Sequence, residues 1–255
     1  MLPLEARADD IAALERSLNV TYATKQVILR NPYRGKHLQF GSDGGLAQRG
    51  EPAPWTVGGV VTVDKVRITA SDLEIGGKRV LLFYNNKEQG LRGMPGDRTQ
   101  IRIALGAAPH DLVNLRALWN KVFLTPSERL TDVVPDYWKW FCATEPNPEK
   151  RAEEIGELAK EMKSQWQDTT VPSPEYKPIP PYSDEARIAR FGGTLVLLIS
   201  VDAEGRTSEV RILRPLGLGL DEEAITTVAN WRFRPAMRSG VAVTSRVFLE
   251  ITFQM

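Results

Sequence analysis

The stretch Trp231-Arg232-Phe233-Arg234-Pro235-Ala236 decides the fold of the C-terminal part of this chain. Trp231 continues a helical spacing set by Ala224 and Val228, which predicts a helix whose buried face ends at the tryptophan. Pro235 cannot continue a helix, and it favours extended backbone at the residue before it. We therefore expect a structural corner of Trp231, Phe233 and Pro235 where a helix leads into the last strand.

Residues 179–255 read as helix, strand, strand, helix and strand. Ser183 is a candidate N-cap of the first helix, and Asp221 of the second. Asp202-Ala203-Glu204-Gly205 predicts the turn of a hairpin between the first two strands. The order of elements is typical of a two-layer α+β domain.

The last strand is predicted to span Ser245 to Phe253. Alternate residues of a strand share one face. The inner face then carries Val247, Leu249, Ile251 and Phe253, and the outer face carries Arg246, Phe248, Glu250 and Thr252.

Residues 1–145 predict a β-rich domain. A short helix is expected between Asp9 and Ser17, followed by several strands with glycine turns from Val20 to Leu105. A helical spacing from Leu112 to Val122 comes next. We expect a small antiparallel sheet or partial barrel that this helix closes.

Residues 135–181 contain an aromatic stretch, a charged segment and a proline-rich segment. Four aromatic residues between Tyr137 and Phe141 predict a plug at the end of a core, with a stacking platform for sugar or peptide as the weaker alternative. Glu149 to Trp166 predicts a charged helix, and the proline-rich residues 169–181 predict a semi-rigid spacer. The predicted division is a domain at 1–145, a helical and proline-rich linker at 146–178, and a domain at 179–255.

Composition excludes several classes of protein. The net charge is +1 over 255 residues, and basic residues do not cluster with aromatic ones, so no nucleic-acid partner is expected. The single cysteine, Cys142, excludes an intrachain disulfide. No run of eighteen apolar residues is present, so no membrane span is expected.

Candidate catalytic and ligand-binding residues are few, and we expect no enzyme, cofactor or metal site. His37 and His110 are the only histidines and lack a metal-binding spacing, so structural or surface roles are favoured. Cys142 as a nucleophile would need one of them beside it. Asp221-Glu222-Glu223 suits the positive end of a helix better than a metal site. For Arg232 and Arg234, solvated or interdomain roles are favoured over anion binding.

The C-terminal pattern resembles the TonB C-terminal domain. The resemblance rests on Pro180-Pro181-Tyr182, Ala186 and Gly192-Gly193, on the hairpin turn Asp202-x-x-Gly205-Arg206, on Leu220-Asp221 and Ala224, and on the Trp231 corner followed by an apolar strand. It covers about the last 77 residues. Ser183 follows Tyr182 where the family commonly has proline.

The resemblance implies a periplasmic module whose last strand binds an extended segment of an outer-membrane TonB-dependent transporter by strand addition. The implied partner-binding residues are Ser245, Arg246, Val247, Phe248, Leu249, Glu250, Ile251, Thr252 and Phe253. The alternative is an envelope scaffold in which a second copy or the N-terminal domain occupies that edge. An unrecognised enzyme in the N-terminal domain is the weaker alternative. The sequence shows no membrane anchor, and the proline-rich part is short at about 3.1 Å per residue, so an energy transducer is not expected.

Overall fold

A computed structural model describes residues 4–106 and 111–254. The fold is mixed α+β, and the chain divides into two compact units. Unit 1 comprises Met1–Leu81 and Gly93–Val133, and unit 2 comprises Leu82–Arg92 and Val134–Met255. The predicted domain boundaries at residues 145 and 178 stay a prediction.

Unit 1 is built around one mixed sheet. Its helices are α1 (Leu4–Tyr22), α2 (Trp55–Gly58) and α3 (Leu112–Val122), with a 3-10 turn at Leu130–Asp132, and its strands are β1 (Gln26–Ile28), β2 (His37–Phe40), β3 (Val60–Ile68), β4 (Asp72–Asn85) and β5 (Gly90–Ala104). The strand order is β1-β3-β4-β5-β2, which leaves β1 and β2 at the edges. The sheet is therefore open at both edges.

The prediction of an antiparallel sheet is wrong at one edge, where two strands are parallel. β2 pairs with β5 in parallel, from His37 opposite Gln100 to Phe40 opposite Ile103. β3 and β4 lie between these two strands in the sequence, and the connection brings β2 beside β5 with the same chain direction. β1 with β3 and β3 with β4 are antiparallel, as expected.

Helices α1 and α3 cover one face of this sheet. Leu18 of α1 and Leu115 and Trp119 of α3 are buried with the apolar residues of the strands. Helix α1 is longer than predicted, and near its C-terminal end the side chain of Asn19 makes hydrogen bonds to the backbone N–H and C=O of Val66. The closing helix is confirmed.

Unit 2 contains the predicted C-terminal elements and others before them. Its helices are α4 (Asp136–Thr144), α5 (Pro148–Gln165), α6 (Asp184–Ala189) and α7 (Leu220–Val228). Its strands are β6 (Ser173–Tyr176), β7 (Gly193–Val201), β8 (Thr207–Arg214), β9 (Arg232–Arg234), β10 (Ala236–Arg238), β11 (Val241–Val243) and β12 (Ser245–Phe253). Three sheets form, with orders β12-β7-β8, β6-β9 and β10-β11.

The main sheet is covered on both faces, because helices that precede the predicted domain add a layer to the two predicted for residues 179–255. One face buries Leu195, Leu197 and Ile199. On the opposite face, Met162 of α5 packs with Leu198 and Leu213, and Trp140 of α4 borders the same cluster. The narrow apolar stripe of α5 is therefore the contact surface of a third layer.

The proline-rich stretch is ordered by pairing, contrary to the spacer prediction. β6 runs antiparallel to β9, with Ser173 opposite Arg234 and Tyr176 opposite Arg232. The backbone N–H of Thr170 donates to the carbonyl of Met237 over 3.0 Å. The stretch therefore adds a strand to the corner.

Two local predictions at α7 and the corner are corrected. The N-cap of α7 is Gly219, whose φ of 80° is a conformation that glycine adopts readily, and Asp221 lies inside the helix. The corner leads into the β10–β11 hairpin before the last strand begins. Ser183 is the N-cap of α6, as predicted, and accepts from the N–H of Ala186.

The aromatic stretch is part of the core. Trp138 and Phe141 of α4 are fully buried and meet edge to face, with ring centroids 5.8 Å apart. The interpretation as a core plug is confirmed for these two residues.

Candidate functional site

β12 is an edge strand of the three-stranded sheet. It pairs with β7 along its whole length, from Ser245 opposite Val201 to Phe253 opposite Gly193. Among the strands of the described residues, only β7 pairs with it. The backbone groups on its other side are therefore free to accept another strand, and we call this side the open edge.

The inner face of β12 carries an apolar row that is covered unevenly. Ile251 and Phe253 are buried, and Phe253 meets the ring of Tyr182 edge to face at 5.4 Å. Val247 and Leu249 are only half-buried. A strand added at the open edge could cover the remaining surface of these two side chains.

The outer face of β12 is partly covered by α5. Phe248 packs against the cluster around Met162 of α5. The guanidinium of Arg246 lies 2.5 Å from the carboxylate of Glu161, also on α5. Of Arg246, Phe248 and Glu250 on this face, Glu250 alone is exposed. The assignment of Ser245–Phe253 as partner-binding residues stays a prediction.

The Trp231 corner holds β6 in place. Trp231 is 1% exposed, and its Nε1 donates to the carbonyl of Pro178 over 3.0 Å. The ammonium of Lys177 lies 5.3 Å from the centre of the indole ring. Phe233 is also buried, 5.9 Å from Trp231 between ring centroids. The corner thus anchors the segment that precedes the C-terminal domain.

Gly205 of the predicted hairpin turn packs directly against the corner. Its φ is +76°, and a Cβ at this position would lie 1.9 Å from the carbonyl oxygen of Phe233. The N–H of Phe233 donates to the carbonyl of Gly205 over 2.9 Å. Both the backbone conformation and the close approach require glycine here.

Arg232 and Arg234 are exposed and have partners in their own unit. Arg234 pairs with Glu175 of β6 at 3.2 Å, and Arg232 donates to the carbonyl of Trp231. The ion pair between Arg234 and Glu175 joins β9 to β6.

A buried acidic pair at the start of α7 is the feature that the sequence missed. Asp221 is fully buried, and its carboxylate accepts from the N–H groups of Leu216 and Gly217 at 2.8 and 2.6 Å. Trp138 donates from Nε1 to Oε1 of Glu222 over 2.8 Å. The spacing between Trp138 and Glu222 offers no local signal, because 84 residues separate them.

Burial changes the titration of this pair. It raises the pKa of Glu222 to about 7, and Glu223 adds to the rise, whereas the Trp138 hydrogen bond opposes it. The residue keeps some exposed surface, but its Oε2 is shielded from solvent. Burial and the neighbouring Glu222 raise the pKa of Asp221 well above its ordinary value, although two backbone N–H groups lower it. Burial thus disfavours the charged form of both carboxyl groups.

The catalytic candidates of the sequence are Cys142, His37 and His110. Burial, together with Glu145, raises the pKa of the Cys142 thiol to about 12, so its thiolate is scarce near neutral pH. His37 is exposed, with Nδ1 3.2 Å from Oε1 of Gln100. His110 lies outside the described residues. Over the described residues, no cluster of three or more His, Cys, Asp or Glu could hold a metal.

The length and apolarity of the described helices bear on whether one of them could cross a membrane. None of those within residues 4–106 and 111–254 combines the length and apolarity that a membrane crossing requires.

The hairpin, the corner and the open edge all lie in the part of the chain that a protein-family model matches. Residues 178–255 match the family model described as Gram-negative bacterial TonB protein C-terminal. These residues form a TonB C-terminal domain. The resemblance predicted for residues 179–255 is therefore confirmed.

Known proteins match the same part of the chain. A curated relative, Protein TonB of Vibrio cholerae serotype O1 (strain ATCC 39315 / El Tor Inaba N16961), is 31% identical over 77 residues, which are 30% of this chain and 32% of the relative. The chain thus spans about a third of the length of that relative. The solution NMR structure of the Pseudomonas aeruginosa TonB C-terminal domain covers 35% of this chain and 88% of its own, at 22% identity and a TM-score of 0.27.

Proposed function

We propose that residues 178–255 act in the bacterial envelope as a periplasmic binding module for an extended peptide segment of an outer-membrane TonB-dependent transporter. The peptide adds as a strand to the open edge of β12. The observation that carries the proposal is that β12 pairs with β7 alone among the described strands. The match to the TonB C-terminal family supports this class of partner.

Backbone pairing supplies part of the affinity. Roughly 4–6 new hydrogen bonds at about 0.5–1.5 kcal/mol each are opposed by several kcal/mol of ordering cost. A micromolar complex requires about −8 kcal/mol, so side-chain contacts must add to the pairing. The half-buried Val247 and Leu249 offer such contacts to alternate apolar residues of the peptide.

The proposal is tested by NMR titration of the isotope-labelled full chain with peptides from transporter N-termini. We expect amide shifts concentrated in Ser245–Phe253. The same peptide with N-methyl groups on alternate amides is the control, because it lacks half of its donors and should bind much more weakly. No shift along β12 at millimolar peptide would contradict the proposal.

A pair of variants separates the open edge from other exposed strands. Leu249→Lys places a charge in the apolar row of β12 and should abolish peptide binding. Tyr176→Lys makes the same change in chemistry on exposed β6 and should leave binding unchanged. Equal loss in both variants would show that the peptide does not bind at β12.

The open edge also suits a second candidate function, an envelope scaffold that self-associates through β12. In that case two copies would pair their last strands and compete with peptide. Sedimentation equilibrium of the full chain and of Leu249→Lys distinguishes the candidates. A dimer that Leu249→Lys dissociates favours the scaffold, and a monomer that binds peptide favours the module.

A further inference from the structure

The second face of the unit 1 sheet is polar and carries a concavity that neither the proposed function nor the family match uses. In β3, Val63, Val66 and Ile68 belong to the core, whereas Lys65 and Arg67 are exposed. In β2, Leu38 and Phe40 are buried and His37 is exposed. The face opposite α1 and α3 therefore presents cationic and polar side chains.

The strand backbone itself forms the concavity. Gly76 and Gly77 interrupt the side chains of β4, and β3 has an irregular register between Val63 and Lys65. A Cβ at Gly76 would meet only the carbonyl of Lys65, at 3.9 Å, so this position has room for ligand atoms. The depression has a volume of about 480 Å³, within the range of small-molecule sites. We call it the basic trough.

Charge in the basic trough is unbalanced. Its lining includes four cations, Lys36, Lys65, Arg67 and Arg98, and two anions, Asp64 and Glu74, which gives +2 with histidine neutral. The whole chain carries only +1. The excess therefore lies on this surface and is offset elsewhere.

Three of these cations are available to a ligand. Arg102 already pairs with Glu74 at 3.0 Å, and Asp97 pairs with Lys36 at 3.3 Å. Within the described residues, Lys65, Arg67 and Arg98 take part in no ion pair. Gln100 and His37 add further hydrogen-bonding groups at the same wall.

We propose that the basic trough binds the phosphoryl group of a small molecule of sugar-phosphate size. A guanidinium donates two parallel hydrogen bonds to phosphate oxygens, and a lysine ammonium adds a point charge. A phosphate monoester carries close to two negative charges at neutral pH, which matches the local excess. The open volume accommodates the organic part beside Gly76.

Isothermal titration calorimetry of the full chain at low salt tests the proposal, with inorganic phosphate and glycerol 3-phosphate as probes. We expect saturable binding to the native chain and a loss of about tenfold or more in affinity for Arg67→Gln/Arg98→Gln, because two charge-assisted contacts are removed. Lys25→Gln/Arg49→Gln removes the same charge from exposed positions of unit 1 outside the trough and should bind like the native chain. Circular dichroism establishes that both variants are folded.

A second arm identifies the source of the phosphoryl group. Co-sedimentation with vesicles of phosphatidylglycerol and phosphatidylcholine measures binding to a lipid headgroup. Binding that Arg67→Gln/Arg98→Gln loses and the control retains supports the proposal in either arm, and the arm in which it occurs names the source. Absence of binding in both arms overturns it. Equal loss in both variants, or binding only to a glutamate-rich peptide added as a further probe, also overturns it.

Discussion

Two strand edges in unit 2 satisfy the same physical need in different ways. The edge of β9 at the Trp231 corner is occupied by β6 of the same chain. The edge of β12 has no strand beside it among the described residues. Unpaired backbone groups attract a strand in both places, but the chain supplies one at β9 only. This contrast is the reason why we propose β12 as the edge that a partner binds.

The occupied edge is specific because side chains reinforce the pairing. The indole of Trp231 fixes the carbonyl of Pro178, and Glu175 pairs with Arg234. Around the open edge, side-chain contacts run to the layer behind it, as Phe248 and Arg246 do to α5. Helix α5 therefore stiffens β12 without covering its free backbone.

The largest effect is expected from Trp231→Ala, which breaks the occupied edge. Loss of a buried indole and its hydrogen bond should cost about 3–5 kcal/mol of stability, measured by urea denaturation of the full chain. Arg232→Ala, at an exposed neighbour, should change stability by less than about 0.5 kcal/mol. Peptide binding should be lost only where the domain unfolds. A folded Trp231→Ala protein that no longer binds would show that the corner itself touches the partner.

Met162→Ala tests the layer behind the open edge. Met162 is 1% exposed between α5 and the sheet, so its truncation should cost about 2–5 kcal/mol in the same measurement. Lys163→Ala removes a neighbouring exposed side chain and is the matched control. A change below about 1 kcal/mol for Met162→Ala would mean that α5 does not pack on this face in solution.

The acidic pair at the start of α7, Asp221 and Glu222, predicts a dependence of stability on pH. Because the pKa of Glu222 is about 7 in the folded protein, above its ordinary value, neutral Glu222 favours folding at low pH. This stability is lost as the pH rises through about 7, by about 1–3 kcal/mol between pH 5 and pH 8. Asp221 shifts in the same direction.

Urea midpoints at pH 5, 7 and 8 measure this dependence. Glu222→Gln should flatten it and be more stable than the native chain at pH 8, because the amide stays neutral. Glu149→Gln, on exposed α5 surface, should leave it unchanged. Stability of the native chain that rises from pH 5 to pH 8 would contradict the assignment.

The smallest effect is expected at the ion pair beside the open edge. Arg246 and Glu161 keep 34% and 59% of their side-chain surface exposed, so a double-mutant cycle with Arg246→Ala and Glu161→Gln should give about 0.2–1 kcal/mol. Salt at 0.5 M should reduce it further. A coupling free energy above about 2 kcal/mol would contradict this expectation and would show that the pair holds α5 against the strand.

Local patterns predicted those parts of the fold whose causes lie within a few residues. The Asp202–Gly205 turn, the N-cap at Ser183 and the extent of Ser245–Phe253 all depend on neighbours in sequence. The family resemblance also followed from such short signals in order. In unit 1, alternation predicted strands and the Leu112–Val122 spacing predicted the closing helix.

Pairing and layering could not be predicted in this way. The parallel β2–β5 pair, the addition of β6 to β9 and the packing of α5 join segments far apart in the chain. Proline content suggested a spacer at 169–181, yet the exposed edge of β9 recruited it as a strand. Alternation placed Phe248 on the outer face of the last strand, yet it packs against the cluster around Met162 of α5.

By itself, the sequence determined the elements of the C-terminal domain, its family and the apolar last strand, because helix periodicity, turn chemistry and strand alternation act locally. Only the tertiary structure decided which edge stays open, which face of β12 is covered, and that Asp221 and Glu222 are buried. Those outcomes depend on which distant segments pair with the same backbone groups and pack on the same apolar surfaces. Such contacts stabilise the protein only when the whole chain has folded, so local sequence patterns do not predict them.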